Sequence, residues 1–297
     1  MSLIEIKNLT KDYGGGRGIF DVNLEIEEGE AFGFVGTNGA GKTTLIRHLM
    51  GFLQPDSGTA KINGLDCWNE SHLVKEVVSY VPGEIAFPDF NKGTDFLKAH
   101  AELLELENME YADYVVKELQ LDPTAILKRM SKGMKQKTAI VAALMGDRKI
   151  LILDEPTTGL DPLMRVRFID LINKEKKKGK TIFMSTHMFE EVEDLCDKVA
   201  LIKEGRIIAV KSTKEIRHNE NKQYKIEFES ESEYKRFVKL DLDFEKRENQ
   251  NQVIVKIHDS KINEFMKLLK GYKIKFMTEI KYTLEKFFNQ AMEGGKK

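Results

Sequence analysis

Cysteine is almost absent from this chain: Cys67 and Cys196 are the two in 297 residues. They are too few and too far apart for a disulfide framework or a metal site. The expectation is a reducing compartment in which both serve as small apolar residues. Long hydrophobic runs are missing as well, since none reaches the ~18 apolar residues of a membrane span. The start Met1-Ser2-Leu3-Ile4-Glu5 has no basic segment leading into an apolar stretch, so no leader peptide is expected. These absences imply a cytoplasmic chain, one that reaches a membrane only through a partner. Neither sign of charge dominates, because 47 basic and 48 acidic residues leave a formal net charge of -1. That excludes the global basic field by which proteins hold nucleic acid, and no nucleic-acid partner is expected. The stretch Lys174 to Lys178, with Lys180 behind it, reads as a solvated cap that complements the dipole at a helix end. No internal repeat is visible.

The run Gly36-Thr37-Asn38-Gly39-Ala40-Gly41-Lys42-Thr43-Thr44 fits the pattern of a phosphate-cradling loop at every constrained position. Its glycines let consecutive N–H groups turn inward around an anion. Lys42 is placed to reach the β and γ phosphates, and Thr43 to offer a hydroxyl to Mg²⁺. The flanks agree: Ala31 to Val35 reads as a buried strand entering the loop, and Thr44 to Met50 as a helix leaving it. That helix points its positive dipole end at the phosphates. The chain is therefore expected to bind a nucleoside triphosphate.

Residues 3 to 35 alternate like antiparallel strands, with turns at Gly14-Gly15-Gly16 and Glu28-Gly29. Strands are expected at 59 to 63 and 77 to 81, then helices at about 94 to 106 and 109 to 120. An α/β rhythm comes next: strand 150 to 153, helix 162 to 178, strand 181 to 184, helix 188 to 195 and strand 198 to 203. The polar stretch His218 to Gln223 marks a boundary. Within the α/β part, Ile150-Leu151-Ile152-Leu153 runs into Asp154-Glu155. A buried parallel strand looks like this, and its carboxyl end is where open α/β sheets hold ligands. Asp154 there would accept a Mg²⁺-bound water, and Glu155 would orient and deprotonate the water that attacks the γ phosphate. His187, ending Ser185-Thr186-His187, falls at the same sheet edge.

The order of these motifs, with Ser131-Lys132-Gly133-Met134-Lys135-Gln136 between them and Pro156-Thr157-Thr158-Gly159-Leu160-Asp161-Pro162 after Glu155, resembles the ATPase subunit of an ABC transporter over about residues 3 to 217. The resemblance implies an α/β phosphate-loop ATPase of the ABC type, a mixed-sheet core with an antiparallel β subdomain and a helical subdomain inserted at about 84–145. It implies ATP and Mg²⁺ as cofactors, His187 as γ-phosphate sensor and Asp161 in a loop coupling two sites. Tyr13 would stack on adenine; read from the sequence alone, it is as readily an aromatic packed beside a glycine turn. The segment Ser131, Lys132, Gly133 and Met134 is implied to act in trans. Its hydroxyl, N–H groups and helix dipole would meet the γ phosphate of a facing subunit.

Two departures from the family pattern stand out. Lys132 occupies the first of two usual glycines, and Met134 the place of a glutamine. In Tyr80-Val81-Pro82-Gly83-Glu84 the usual metal-touching glutamine is missing. Either that contact is absent, or Glu84 supplies an oxygen one position later. The tail, 218–297, alternates as strand, helix, two strands, helix, strand and a final helix from Tyr282, the order of a small ferredoxin-like α+β unit. Similar tails occur in the ATPase subunits of bacterial drug, antibiotic and peptide exporters, where dimer support, regulation or passive stabilisation would each serve. The expected protein is an ATP-hydrolysing subunit that dimerises on ATP, as homodimer or heterodimer. It would lie on the inner face of the cell membrane and drive export through an integral membrane permease. A soluble ABC-type machine acting on DNA or ribosomes would show a long coiled coil or two ATPase units, and neither is present. A low-turnover ATP sensor is favoured by the missing glutamine alone.

Overall fold

The computed structural model describes residues 2–217, 220–280 and 282–294. They form two compact units, residues 1–213 and 214–297, so the division lies four residues ahead of the expected 217/218 boundary. In the first unit, β1 (Ser2–Asp12) and β2 (Gly18–Glu27) pair antiparallel with Ile4 opposite Ile26 and Ile6 opposite Leu24. Their alternating apolar residues all face one core. β3 (Ala31–Val35) is buried along its whole length and enters α1 (Lys42–Leu49) through the glycine loop. After it come β4 (Ser57–Ile62), β5 (Leu65–Asp66), α2 (Ser71–Val77) and β6 (Val78–Val81). The helices α3 (Gly93–Leu103), α4 (Glu110–Glu118) and α5 (Lys132–Met145) form the inserted block, in which α5 packs against both others. The α/β rhythm then resumes with β7 (Ile150–Asp154), α6 (Pro162–Lys177), β8 (Thr181–Thr186), α7 (Phe189–Leu195), β9 (Lys198–Lys203) and β10 (Arg206–Ser212).

Two sheets result. One is antiparallel in the order β2-β1-β4-β5; the other has the order β10-β9-β3-β8-β7-β6, parallel except for the edge strand β10. The alternating stretch 3–35 is thus divided, with β1 and β2 in the first sheet and β3 in the second. Register fixes where the strands end. Val35 pairs with Thr186 and Ser185 with Asp154, so the carboxyl ends of β3, β8 and β7 are level. Phe32 stacks on Phe183 across that sheet at 6.2 Å, an aromatic pair worth about 1 kcal/mol beyond its buried area.

Lys174, Lys177 and Lys178 are exposed at the end of α6, as expected of a solvated cap, but Lys180 is buried and corrects that expectation. Glu175 falls in phase with the buried stripe Met164, Phe168, Leu171 and Ile172 of α6, so the helix carries its carboxylate fully inside. Lys178 reaches it at 2.7 Å, Tyr111 of α4 donates its hydroxyl at 2.5 Å, and Lys180, itself buried, closes on it and on Asp147. Arg167 adds a bond to the Glu118 carbonyl at 3.1 Å. These contacts fasten α4 of the inserted block to α6 of the core.

The second unit begins with α8 (Thr213–Arg217), which straddles the division, and continues as β11 (Asn221–Phe228), α9 (Glu231–Phe237), β12 (Phe244–Arg247), β13 (Gln252–His258), α10 (Ile262–Leu269), β14 (Ile274–Glu279) and α11 (Leu284–Gly294). Its antiparallel sheet has the order β12-β13-β11-β14, the split β-α-β pattern of a ferredoxin-like fold. Ile226, Phe228, Phe237, Val253 and Val255 form its core.

Burial raises the Glu175 pKa, but the bonds from Lys178, Lys180 and Tyr111 outweigh it, and the carboxyl lies below its usual value. A lowered pKa stabilises the fold above the unfolded value of about 4.3 and loses that stabilisation as pH falls through the folded one. Glu175→Ala, which leaves buried Lys180 with Asp147 as its single ion-pair partner among the described residues, is expected to cost about 3 kcal/mol at pH 7. The deficit should shrink in acid. A urea midpoint unchanged at pH 7 would refute the fastening role.

Candidate functional site

The glycine loop is shaped by close approaches. A Cβ on Gly36 would stand 2.5 Å from the Ile202 carbonyl oxygen, and Gly41, at φ 108°, would press a Cβ to 2.7 Å from Ile19. Only glycine fits either place. Lys42 is buried, and its ammonium donates to the carbonyls of Gly36 at 2.8 Å and Thr37 at 3.2 Å. The first turn of α1 holds no acidic residue, so its N–H groups and dipole are free for an anion.

At the end of β7, Asp154 is fully buried; Ser185 donates to its Oδ1 at 2.5 Å, while Oδ2 is buried and has no hydrogen-bond partner within 3.5 Å among the described residues. Burial pushes its carboxyl pKa up, the neighbouring charge of Glu155 adds to this, and the hydroxyls of Ser185 and Thr43 act against it. Glu155 has φ 45°, a left-handed conformation that costs a bulky residue roughly 1–3 kcal/mol. Its N–H is held by Ser185 through the carbonyl at 3.0 Å and the hydroxyl at 3.1 Å. One carboxylate oxygen then meets Lys42 at 3.1 Å and the other His187 Nδ1 at 2.9 Å. Burial raises the Glu155 pKa, yet Lys42 and His187 outweigh it and the value lies below normal. Lys42, Asp154, Glu155 and His187, drawn from three strand ends, are therefore one cluster.

The remaining expected residues stand apart. Glu84 is exposed and, among the described residues, makes no hydrogen bond or ion pair. It is Gly83 that faces the site, where a Cβ would lie 3.1 Å from Asp154 Oδ2. Tyr13 is 48% exposed, in a turn closed by its own N–H to the Arg17 carbonyl at 2.8 Å. Ser131 caps α5, accepting from the Met134 N–H at 3.2 Å, and Lys132 is exposed as the first helical residue. Gly133 presses on the loop beyond Glu155, since a Cβ there would meet the Gly159 carbonyl at 2.7 Å. Asp161 caps α6 by accepting from Met164 N–H at 3.0 Å. No hydrogen bond joins these residues to Lys42, Asp154 or Glu155 among the described residues. Two further residues serve the site without a motif to mark them. Ser185 is a clamp, and Glu191 shows in the sequence only as a carboxylate on the apolar side of α7 beside Val192 and Leu195.

Fold and cluster together define a phosphate-loop ATPase. The chain belongs to the ABC transporter ATP-binding protein family: the family model described as ABC transporter matches residues 19–158. An uncharacterized ABC transporter ATP-binding protein of Methanocaldococcus jannaschii is 36% identical over 211 residues, 69% of this chain and 76% of that protein. The bacitracin transport ATP-binding protein BcrA of Bacillus licheniformis is 34% identical, covering 70% of this chain and 69% of its own. The Nod factor export ATP-binding protein I of Burkholderia orbicola is likewise 34% identical, at 69% of each chain. A solved ATP-binding subunit of an ABC transporter superposes with a TM-score of 0.66 and 31% identity, over 73% of this chain and 92% of that one.

Because the folded pKa of Asp154 is raised, its protonated form favours folding. That advantage is complete below the unfolded pKa of about 4 and is lost as pH rises through the folded value. Asp154→Asn, uncharged throughout, should keep the Ser185 bond and melt roughly 2–4 °C above the parent at pH 8. The two should converge near pH 4 in thermal scans. A lower melting temperature for the variant at pH 8 would contradict this account of the buried carboxylate.

Proposed function

We propose that this ATPase works as one half of an ATP-closed dimer that powers export through a separate membrane subunit. The observation that carries the reading is Glu155 held between Lys42 and His187 beside the phosphate loop. Phosphate oxygens entering the loop are stronger partners for Lys42 than the Gly36 and Thr37 carbonyls. When Lys42 turns to them, Glu155 is released to accept a proton from the attacking water. The water oxygen bonds to the γ phosphorus, the bond to the β–γ bridging oxygen breaks, and ADP and phosphate result. His187, half exposed and bonded to Glu155, is placed to feel the γ phosphate. Thr43 and Asp154 would hold Mg²⁺, which neutralises phosphate charge when bound; the unpartnered, buried Oδ2 fits that role.

No helix among the described residues is long and apolar enough to cross a membrane, so the transport named for the relatives would need a second polypeptide. We assign to it a groove of about 290 Å³ lined by Tyr80, Pro82, Phe87, Phe96 and His100. The groove flanks Gly83, which abuts Asp154, so movement of a partner there reaches the site through one residue. The names of the bacitracin transport and Nod factor export relatives favour transport over action on DNA or ribosomes, and the second of them favours export.

Glu155→Gln should bind Mg-ATP as the parent does, hydrolyse it about 100-fold more slowly or worse, and accumulate as an ATP-bound dimer in size-exclusion chromatography. Parental turnover would remove Glu155 as the base. In a mixing experiment, Ser131→Arg and Lys42→Ala subunits should each be inactive alone, and together should regain part of the ATPase rate through the one intact composite site. No recovery despite demonstrated subunit exchange would count against a site shared in trans.

A further inference from the structure

We infer that Glu191 is a positioning residue for hydrolysis, a buried clasp that fixes Glu155 against His187; this rests on the roles proposed for those two. Glu191 is 5% exposed on α7. Its Oε1 accepts the Thr157 hydroxyl at 2.5 Å and its Oε2 the Thr186 hydroxyl at 2.8 Å. Both threonines are buried. Thr157 lies two residues beyond Glu155, and Thr186 directly precedes His187, so one carboxylate spans the segments that carry both groups. Thr186 in turn accepts the Met188 N–H at 3.0 Å, which pins the far side of His187.

No cation pairs with this carboxylate among the described residues; its partners are neutral hydroxyls. A carboxyl group buried on such terms does little for stability, and an apolar side chain of similar volume would stabilise the fold better. What the carboxylate adds is geometry. Two acceptor oxygens at a fixed separation set the spacing of the β7 and β8 loops, and Glu155, in its left-handed conformation, has no intrinsic preference for the pose it holds. Loss of the clasp leaves the phosphate loop untouched and loosens the 2.9 Å contact to His187.

The test uses full-length protein and Mg-ATP. Glu191→Leu, of similar size, can bond neither hydroxyl and should lower kcat roughly tenfold, with ATP affinity within about twofold of the parent. In a His187→Ala background the same change should add little, because the contact it positions is already gone. Thr157→Val, nearly isosteric, removes one bond and should show the same split between kcat and affinity, which covers the case that Glu191→Leu does not fold. Parental kcat in either folded variant overturns the inference. So does a full tenfold further loss on top of His187→Ala. Should Glu155→Gln itself turn over normally, the base assignment fails, which is a separate result.

Discussion

The parallel register of β3, β8 and β7 is the constraint on which the site depends. With Val35 level with Thr186, and Ser185 level with Asp154, three loops leave the sheet at one height. Each brings a different chemical part: N–H groups and an ammonium, two carboxylates, and an imidazole. A slip of one residue in a strand would turn every side chain to the opposite face. The slip is opposed by specific packing, in which Phe32 and Phe34 meet Phe183 across the sheet.

Within that frame, adjacent carboxylates acquire opposite characters. Asp154 is buried in the core beside the charge of Glu155, so its charged form is disfavoured despite the hydroxyls of Ser185 and Thr43. Glu155, turned outward by its left-handed backbone, faces Lys42 and His187 and is held ionised. Environments that drive two like groups apart are how a site assigns them different tasks. Ser185 enforces the division, because it donates to Asp154 and at the same time grips the N–H that orients Glu155.

Much of this was legible in the sequence, wherever one residue type is demanded by local chemistry. Glycines at 36 and 41, the aliphatic run into Asp154-Glu155, and the β-α-β-β-α-β rhythm of the tail are of that kind. What escaped depends on contacts distant in sequence. Glu175 and Glu191 look like surface acids until helix phase turns them inward, and Lys180 looks solvated until its partner is found. The edge strand β10 escaped because Ile208 and Val210 are its exposed apolar residues, giving no half-buried pattern to read. At the place of the missing glutamine the alternatives were no contact or Glu84, yet Gly83 is the residue against Asp154; backbone proximity leaves no mark in residue type.

The charge at the start of α5 bears on why a pair of chains would be needed. Lys132, Lys135 and Lys137 crowd its first two turns, and no acid stands in the first. Cations at a helix N-terminus oppose the dipole and cost a few tenths of a kcal/mol each. An anion brought to Ser131 and Gly133 would add attractive terms with each lysine and with the dipole that offset those costs. The first turn of α1 is likewise without an acid, so one chain carries two helix starts that favour an anion. They lie on different subdomains, and no hydrogen bond among the described residues connects them. A single triphosphate bound to Lys42 would satisfy the first start. In the dimer proposed above the second would be satisfied by the triphosphate of a facing subunit, and the substitution of Lys132 for glycine would then add attraction across a shared site.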